Sequence, residues 1–416
     1  MSPRRPGGPV AYVGEAIGAF RRRADPVLDV APSTCIVATM KKTLSPAIAA
    51  AIGGRAQHLS AADGTVDDEL LQPVPLKPSG PRRHDGVQPR SGWEAAAMDG
   101  PDHPLRAGVI GVGHMGRLHA RKYAAAEGVS LAAVADRDAD TAERVGAELG
   151  VPWHTDHRAL FGAVDLVSVA VSTDAHHAVA RDCLQAGIHV LVEKPMTATL
   201  QQADELIAAA RARGLCLQVG HLERFSAALV ALRAEITRPL FIESHRLACF
   251  TPRGTEVNVV LDLMIHDIDL VLDLAAGPIV ELRASGASVL TDDIDIGNAR
   301  LEFESGCVAN ITASRVSRQP MRRLRVFQRD RYVAVDTMHD SIAIARRQPG
   351  ASGEPRIEFE QRHLDKGDPL MREVGAFVHA VRSGTAPAIG GEQARRALEV
   401  ALQISARMRE SMRRQT

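Results

Sequence analysis

Cysteine is scarce. The chain of 416 residues holds five, Cys35, Cys183, Cys216, Cys249 and Cys307, with no C-x-x-C pair among them. That spacing argues against a zinc knuckle and fits a reducing cytoplasm, where lone cysteines serve as small buried residues. Neither sign of charge prevails: 50 Lys plus Arg face 50 Asp plus Glu. The balance gives no reason to expect nucleic acid or an anionic membrane as partner. Long apolar runs are missing, none approaching the ~20 residues that cross a bilayer. The arginines near the N-terminus have no continuous apolar stretch behind them, so no secretion signal is expected. No internal repeat is evident either. With 45% hydrophobic residues, the chain can fill two domains with cores of their own.

Residues 1–104 carry 13 of the 23 prolines and only scattered apolar residues. Such a segment buries too little surface to offset the entropy of ordering it, which predicts a mostly disordered extension. Ala11–Arg22 and Ala47–Ile52 could form short helices, and Met98, just upstream of the first strand, reads as the favoured start.

The organising stretch is Leu105–Ala120, LRAGVIGVGHMGRLHA. Its first six residues are apolar enough for a central strand of a parallel sheet. Gly111, Gly113 and Gly116 follow as G-x-G-x-x-G, each with its own task. The first makes the tight turn, the second lets backbone approach a pyrophosphate, and the third lets the next helix pack close to the sheet. That helix opens on His114 and Met115, with its free N–H groups aimed at the phosphates. Asp136 ends a second apolar strand about 20 residues on, where a carboxylate accepts from the adenosine ribose and repels a 2'-phosphate. This reads as NAD rather than NADP, although Arg137 could accept the extra phosphate. A competing reading makes Asp136 the cap of the next helix.

Beyond Asp136 the pattern alternates strand and helix as far as Gly220, which predicts a doubly wound parallel sheet over about 105–225. Ligands bind beyond the carboxyl ends of such strands, where Gly111, Asp136, Ser172, Glu193 and His221 fall. From 226 to 416 a helix near Ser226–Arg233 and a helix over Val259–Ala275 accompany short-linked strands running from Phe241 to Arg346. These predict an α+β domain with a large, mostly antiparallel open sheet, one face of which is free to pack on a neighbour. Two closing helices, Pro369–Arg382 and Glu392–Arg413, are expected to return toward the first domain.

Two constellations could carry chemistry. In Glu193-Lys194-Pro195 the proline keeps Lys194 extended at the rim of the sheet, able to donate to a substrate oxygen and exchange its proton. In LDLMIHDID, Asp262 and His266 lie four apart and share a helix face. His266 is expected to titrate near neutral pH as a general base. The competing reading is a core histidine satisfied by that aspartate. A metal is discounted for want of a third ligand. Arginine's planar fork suits phosphate, which makes Arg224, Arg246 and Arg253 candidates for substrate phosphates.

GVIGVGHMGRLHA, VSTDAHH, LVEKPMT, GHLERF and LDLMIHDID, in this order, resemble the glucose-fructose oxidoreductase, inositol dehydrogenase and rhizopine-catabolism (Gfo/Idh/MocA) family. The likeness runs from about Leu105 to the C-terminus and departs at Ser226-Ala227, where Asn-Pro would be expected. HLERF, FIESHRLACFTPRGTEV and VVLDLMIHDIDL are most similar to members that oxidise UDP-N-acetylglucosamine at C3 in lipid A synthesis. The resemblance implies a catalytic group of Lys194, Asp262 and His266, in which His266 or Lys194 takes the hydroxyl proton and Asp262 orients the histidine or the substrate. It implies cofactor contacts from Ser172, Thr173, His176, Glu193, Lys194, Pro195 and His221 beside the glycine loop, and a homodimer or homotetramer, with the second domain binding substrate and forming the oligomer. His119 and His176 are expected to position groups near the cofactor rather than to exchange protons. Two alternatives stand: an inositol or free-sugar dehydrogenase, and a regulatory NAD-binding protein without turnover.

Overall fold

The computed structural model describes residues 103–251, 257–350 and 354–414. The expected N-terminal extension through residue 102, with its two short helices and Met98, lies outside the described residues, as does Arg253.

The described residues begin with strand β1 (Leu105–Ile110), buried at five of its six positions. Helix α1 (His114–Ala125) leads to β2 (Val129–Ala135), α2 (Ala139–Leu149) and a short β3 (Trp153–His154). Then come β4 (Leu166–Val169), α3 (Thr173–Gln185), β5 (His189–Glu193), α4 (Leu200–Ala212) and β6 (Leu217–Gly220). The six strands pair in parallel in the order β3-β2-β1-β4-β5-β6. This is the doubly wound order, and its direction reverses between β1 and β4, where such sheets open a crevice for ligands. Strand β3 was not expected from the sequence, because two residues in a polar turn give no periodic signal.

A 3-10 turn (Leu222–Phe225) and helix α5 (Ala227–Glu235) lead into the second sheet. Strand β7 (Phe241–Leu247) is followed by a π-helical turn (Val260–Met264) that continues as helix α6 (Ile265–Leu274). Seven strands complete it: β8 (Ile279–Ala287), β9 (Ile296–Phe303), β10 (Val308–Ser314), β11 (Met321–Phe327), β12 (Arg331–Asp336), β13 (Ser341–Pro349) and β14 (Pro355–His363). The order is β14-β13-β12-β11-β7-β10-β9-β8, antiparallel except where β7 lies beside β10. The fold is thus α/β, a parallel sheet joined to a mostly antiparallel one, as the residue pattern predicts. Strand β7 alternates strictly, turning Ile242, Ser244 and Arg246 inward. Strand β14 escaped the sequence reading because none of its nine residues is buried, so it shows no inward apolar face.

Helices α7 (Pro369–Ser383) and α8 (Gly391–Arg413) close the chain. Val374 and Phe377 of α7 pack with Ala107, Val109 and Tyr123 beneath β1. Helix α8 serves two cores: Ala394 and Leu398 join the one around β4 and β5, while Val400, Ile404 and Met408 join the one under the second sheet.

Candidate active site

The glycine loop has the geometry its spacing predicts. Gly111 has φ of 82°, and a Cβ there would stand 2.7 Å from the Ala170 backbone. At Gly116 a Cβ would fall 1.7 Å from the Gly111 carbonyl oxygen, so only glycine lets α1 start so close to β1. At Gly113 a Cβ would meet nothing within 4 Å. Protein packing therefore does not require that glycine, whereas backbone approach by a ligand does. The first turn of α1 has no side-chain cap, which leaves its N–H groups and positive dipole end for an anion.

These residues border a crevice of about 410 Å³ at the ends of β1, β2 and β4, lined by Gly111, Gly113, Asp136, Arg137, Thr155 and Ser172 among others. Asp136 accepts the Val112 N–H at 2.8 Å, tying the loop to β2, and the Asp138 N–H at 3.0 Å. The cap of α2 is Asp138, which accepts from Thr141 N, so the capping role does not fall to Asp136. Room at Gly113, an uncapped helix end and a carboxylate at the rim together fit a dinucleotide. His114 is exposed and Met115 half-buried at the start of α1. Thr173, Glu193, Lys194, Pro195 and His221, grouped with the loop in the sequence, do not line this crevice. Thr155 and His157 do, though neither carries a periodic cue in the sequence.

Lys194 follows β5, and its peptide to Pro195 is cis. His176 sits behind it, fully buried, its ring between the Pro195 carbonyl (2.9 Å) and the Val171 carbonyl (3.1 Å). Burial lowers its pKa, although both carbonyls favour the charged form. It holds the ends of β4 and β5 together and stands outside the crevice. Lys194 is 20% exposed, not a solvated rim charge. Its ammonium donates to the Asp262 main-chain carbonyl at 2.7 Å and reaches Asp262 Oδ1 at 3.4 Å.

Asp262 lies in the π turn, a feature that recurs at functional sites. The uninterrupted helix expected over Val259–Ala275 is therefore widened at its start. Asn258 begins it, its side-chain oxygen accepting from Val260 N and Leu261 N, both at 3.1 Å. Ile265 N–H reaches back five residues to the Val260 carbonyl. Among the described residues no side-chain hydrogen bond joins Asp262 to His266. His266 Nδ1 is buried without a partner, which removes the reading of a core histidine satisfied by that aspartate. The expectation that His266 titrates near neutrality is also corrected. Burial pushes its pKa well below the ordinary histidine range, and the positive fields of Lys194 and Arg246 push the same way. His221 packs edge-on against it at 6.4 Å, its own pKa lowered by burial against the opposing pull of Asp269.

Arg224 and Arg246 are occupied within the protein. Arg224 holds Asp269 at 2.6 and 2.7 Å and Asp273 at 3.0 Å. Arg246, 5% exposed, holds Asp267 at 2.6 Å and Glu223 at 2.7 Å. Ser244 adds a third bond to Asp267 at 2.6 Å. Together they fasten β7 and the turn after β6 to the helix that carries His266.

A buried polar cluster lies beneath Lys194. His119 bonds Ser168 Oγ at 3.0 Å and Glu193 Oε1 at 2.9 Å, and Tyr123 also reaches Ser168. Burial raises the Glu193 carboxyl, but His119 and Lys194 outweigh it and the net shift is downward. Facing them, Glu373 of α7 is fully buried with both carboxylate oxygens unpartnered. Its pKa stands well above the carboxylate range, first through burial and then through Glu193. His119, Glu193 and Glu373 offer ligand atoms within 4.8 Å of one another, a spacing that could hold a metal ion. A proton on Glu373 meets the same demand for positive charge. The sequence did carry a sign of it: Glu373 stands on the apolar stripe of Leu370, Val374 and Phe377.

Comparison with known proteins agrees with this geometry. Residues 105–221 match the oxidoreductase family with an NAD-binding Rossmann fold, and residues 229–331 match the GFO/IDH/MocA C-terminal domain. The chain is 42% identical over 302 residues to a UDP-N-acetylglucosamine 3-dehydrogenase of Acidithiobacillus ferrooxidans, covering 72% of this chain and 96% of that one. A solved structure of the enzyme of that name from the same organism superposes with a TM-score of 0.70 at 40% identity, over 74% of this chain and 99% of the other. A myo-inositol 2-dehydrogenase of Thermotoga maritima is 27% identical over 71% of this chain and 93% of its own length.

Proposed function

The chain belongs to the GFO/IDH/MocA family of NAD-binding oxidoreductases, and from that premise we propose that it oxidises the C3 hydroxyl of UDP-N-acetylglucosamine to a ketone. The family's sugar and inositol dehydrogenases act on CH–OH groups, and this chain is an enzyme of that kind. The observation that carries the reading is the meeting of Lys194 with the Asp262 turn, one helical step from a neutral His266.

The glycine loop and Asp136 would hold NAD, whose nicotinamide accepts the hydride when bound. His266 stays neutral because of burial and its cationic neighbours, so it has a lone pair ready for the hydroxyl proton. The Lys194 ammonium donates to the same oxygen as charge gathers on it, held in place by the Asp262 carbonyl. Asp262 orients Lys194 in this scheme rather than His266. His119, Glu193 and His176 position the loop that bears the lysine.

Two further features belong to this reading. A homodimer or homotetramer would form through the open face of the second sheet, where Ile357 and Phe359 of β14 are 58% and 78% exposed. The compartment is the cytoplasm, which supplies NAD and keeps thiols reduced. Among the described residues, no helix is long and apolar enough to cross a membrane.

The test is formation of NADH when the protein meets NAD and UDP-N-acetylglucosamine, with an aminotransferase and glutamate to draw off the ketone. Signal with myo-inositol or a free sugar alone would replace the substrate and keep the mechanism. Tight NAD binding with no turnover on any of them would overturn the enzyme.

A further inference from the structure

A second cavity, about 490 Å³, lies between the turn after β6, strands β7 and β11, and the β12–β13 turn. Leu263, next to Asp262, lines it, so its wall includes a residue of the turn that holds Lys194. Three cations stand in its wall: Arg246, Arg322 and Lys366. Arg246 is occupied by Asp267 and Glu223. Arg322 touches Glu223 at 3.3 Å with one nitrogen, and its side chain is 51% exposed, which leaves most of its guanidinium donors open to solvent or a ligand. Lys366 is exposed and makes no ion pair among the described residues.

The wall is prearranged. Thr337 N–H donates to the Arg322 carbonyl at 3.0 Å, and Leu364 N–H donates to the Asp340 carbonyl at 2.7 Å. These bonds fasten Arg322 to the β12–β13 turn, and that turn to the segment bearing Lys366. The Thr337 hydroxyl is buried in the wall with no hydrogen-bond partner among the described residues. Asp340 has φ of 44°, the only non-glycine residue with positive φ among the described residues, and strain of this kind gathers at binding sites.

Building on the function proposed above, we infer that this cavity takes the nucleoside diphosphate half of the substrate. Arg322 and Lys366 are its phosphate ligands, in place of Arg224 and Arg246. A sugar ring held at Lys194 and His266 would direct its anomeric substituent past Leu263. A forked guanidinium and a mobile ammonium together match a diphosphate.

The experiment titrates UDP into the full chain by calorimetry with NAD saturating, so that the crevice at the glycine loop is filled. UDP should bind the wild type. Arg322→Ala and Lys366→Ala should each weaken it by about tenfold or more, as loss of one charged hydrogen bond implies. The double variant should lose it while NAD binding persists, and KM for UDP-N-acetylglucosamine should rise far more than kcat falls. No UDP binding by the wild type, or undiminished binding by the double variant, overturns the inference. UDP binding that depends on both cations, in a protein that does not oxidise UDP-N-acetylglucosamine, upholds the subsite and overturns the reaction. Turnover indifferent to both substitutions does the reverse.

Discussion

Lys194 gives its ammonium to the main-chain carbonyl of Asp262 at 2.7 Å and only a longer contact, 3.4 Å, to its carboxylate. The lysine's anchor is thus backbone that the π turn presents, and it survives a change of the aspartate side chain. Lys194→Ala should lower kcat by about 10²- to 10³-fold, the range for a lost donor to an oxygen that gathers charge, with NAD binding retained. Asp262→Asn should cost no more than about tenfold. Steady-state kinetics beside NAD titration of each variant checks this. A loss in Asp262→Asn equal to that in Lys194→Ala would place the carboxylate itself in the chemistry.

The lowered pKa of His266 has two consequences. The proton-accepting form persists to more acid pH than for an ordinary histidine, so kcat/KM should show no His266 limb at the usual 6.5. For stability, the unfolded chain binds the proton at 6.5 while the folded chain resists it. Below that pH the unfolded state therefore gains protons first, and stability falls as pH falls. His266→Gln should flatten this part of the Tm profile. An acid limb centred at or above the ordinary histidine value, abolished in that variant, would contradict the assignment.

Arg246 is bound by two acids in a buried setting, so its removal strands Asp267 and Glu223. Arg246→Ala should cost about 3–5 kcal/mol of stability, the typical penalty for breaking a buried pair. Urea unfolding measures it directly. A stable variant with only a raised KM would return Arg246 to the substrate.

How far the sequence could be read is clearest at this arginine. LDLMIHDIDL shows its acids, but not that Asp267 and Asp269 turn inward to meet Arg246 of β7 and Arg224 of the turn after β6. Local spacing reveals which residues share a helix face. It does not reveal which charge from another element lies opposite. The glycine loop was legible because its constraints lie within a few residues: Gly111 and Gly116 answer to the same turn. The subsite cations Arg322 and Lys366 were not, since nothing in a β-strand arginine or a loop lysine marks it as facing a cavity. His266 lay between these cases. Its position could be read, but its titration depends on burial and on Lys194 and Arg246.

Asp136 holds the glycine loop through Val112 N–H and stands at the rim of the crevice. Removing its charge should both loosen the loop and end the repulsion of a 2'-phosphate, with exposed Arg137 beside it to receive that phosphate. Asp136→Ala should weaken NAD by about tenfold or more and narrow the preference for NAD over NADP. Comparing kcat/KM for the two cofactors tests it. An unchanged ratio would mean that Asp136 serves the loop alone.

Glu373 offers the last test, because a buried acid with no partner must be neutral or matched by a cation. His119, Glu193 and Tyr123 surround it, and burial together with the Glu193 charge holds its pKa well above 4.5. Between 4.5 and that raised value the folded state keeps a proton that the unfolded state has released. Stability therefore falls as pH rises through the interval, by up to about 1.4 kcal/mol per pH unit. Glu373→Gln keeps the shape and removes the titration. Its Tm should match the wild type near the ordinary carboxyl pKa and exceed it increasingly above, by a few degrees for each kcal/mol gained, on the order of 2–4 °C. Parallel Tm curves for the two proteins would show that the carboxyl titrates as in the unfolded chain. If the demand for positive charge is met by a metal instead, the variant loses a ligand, its Tm falls below the wild type, and a chelator lowers the wild type to meet it.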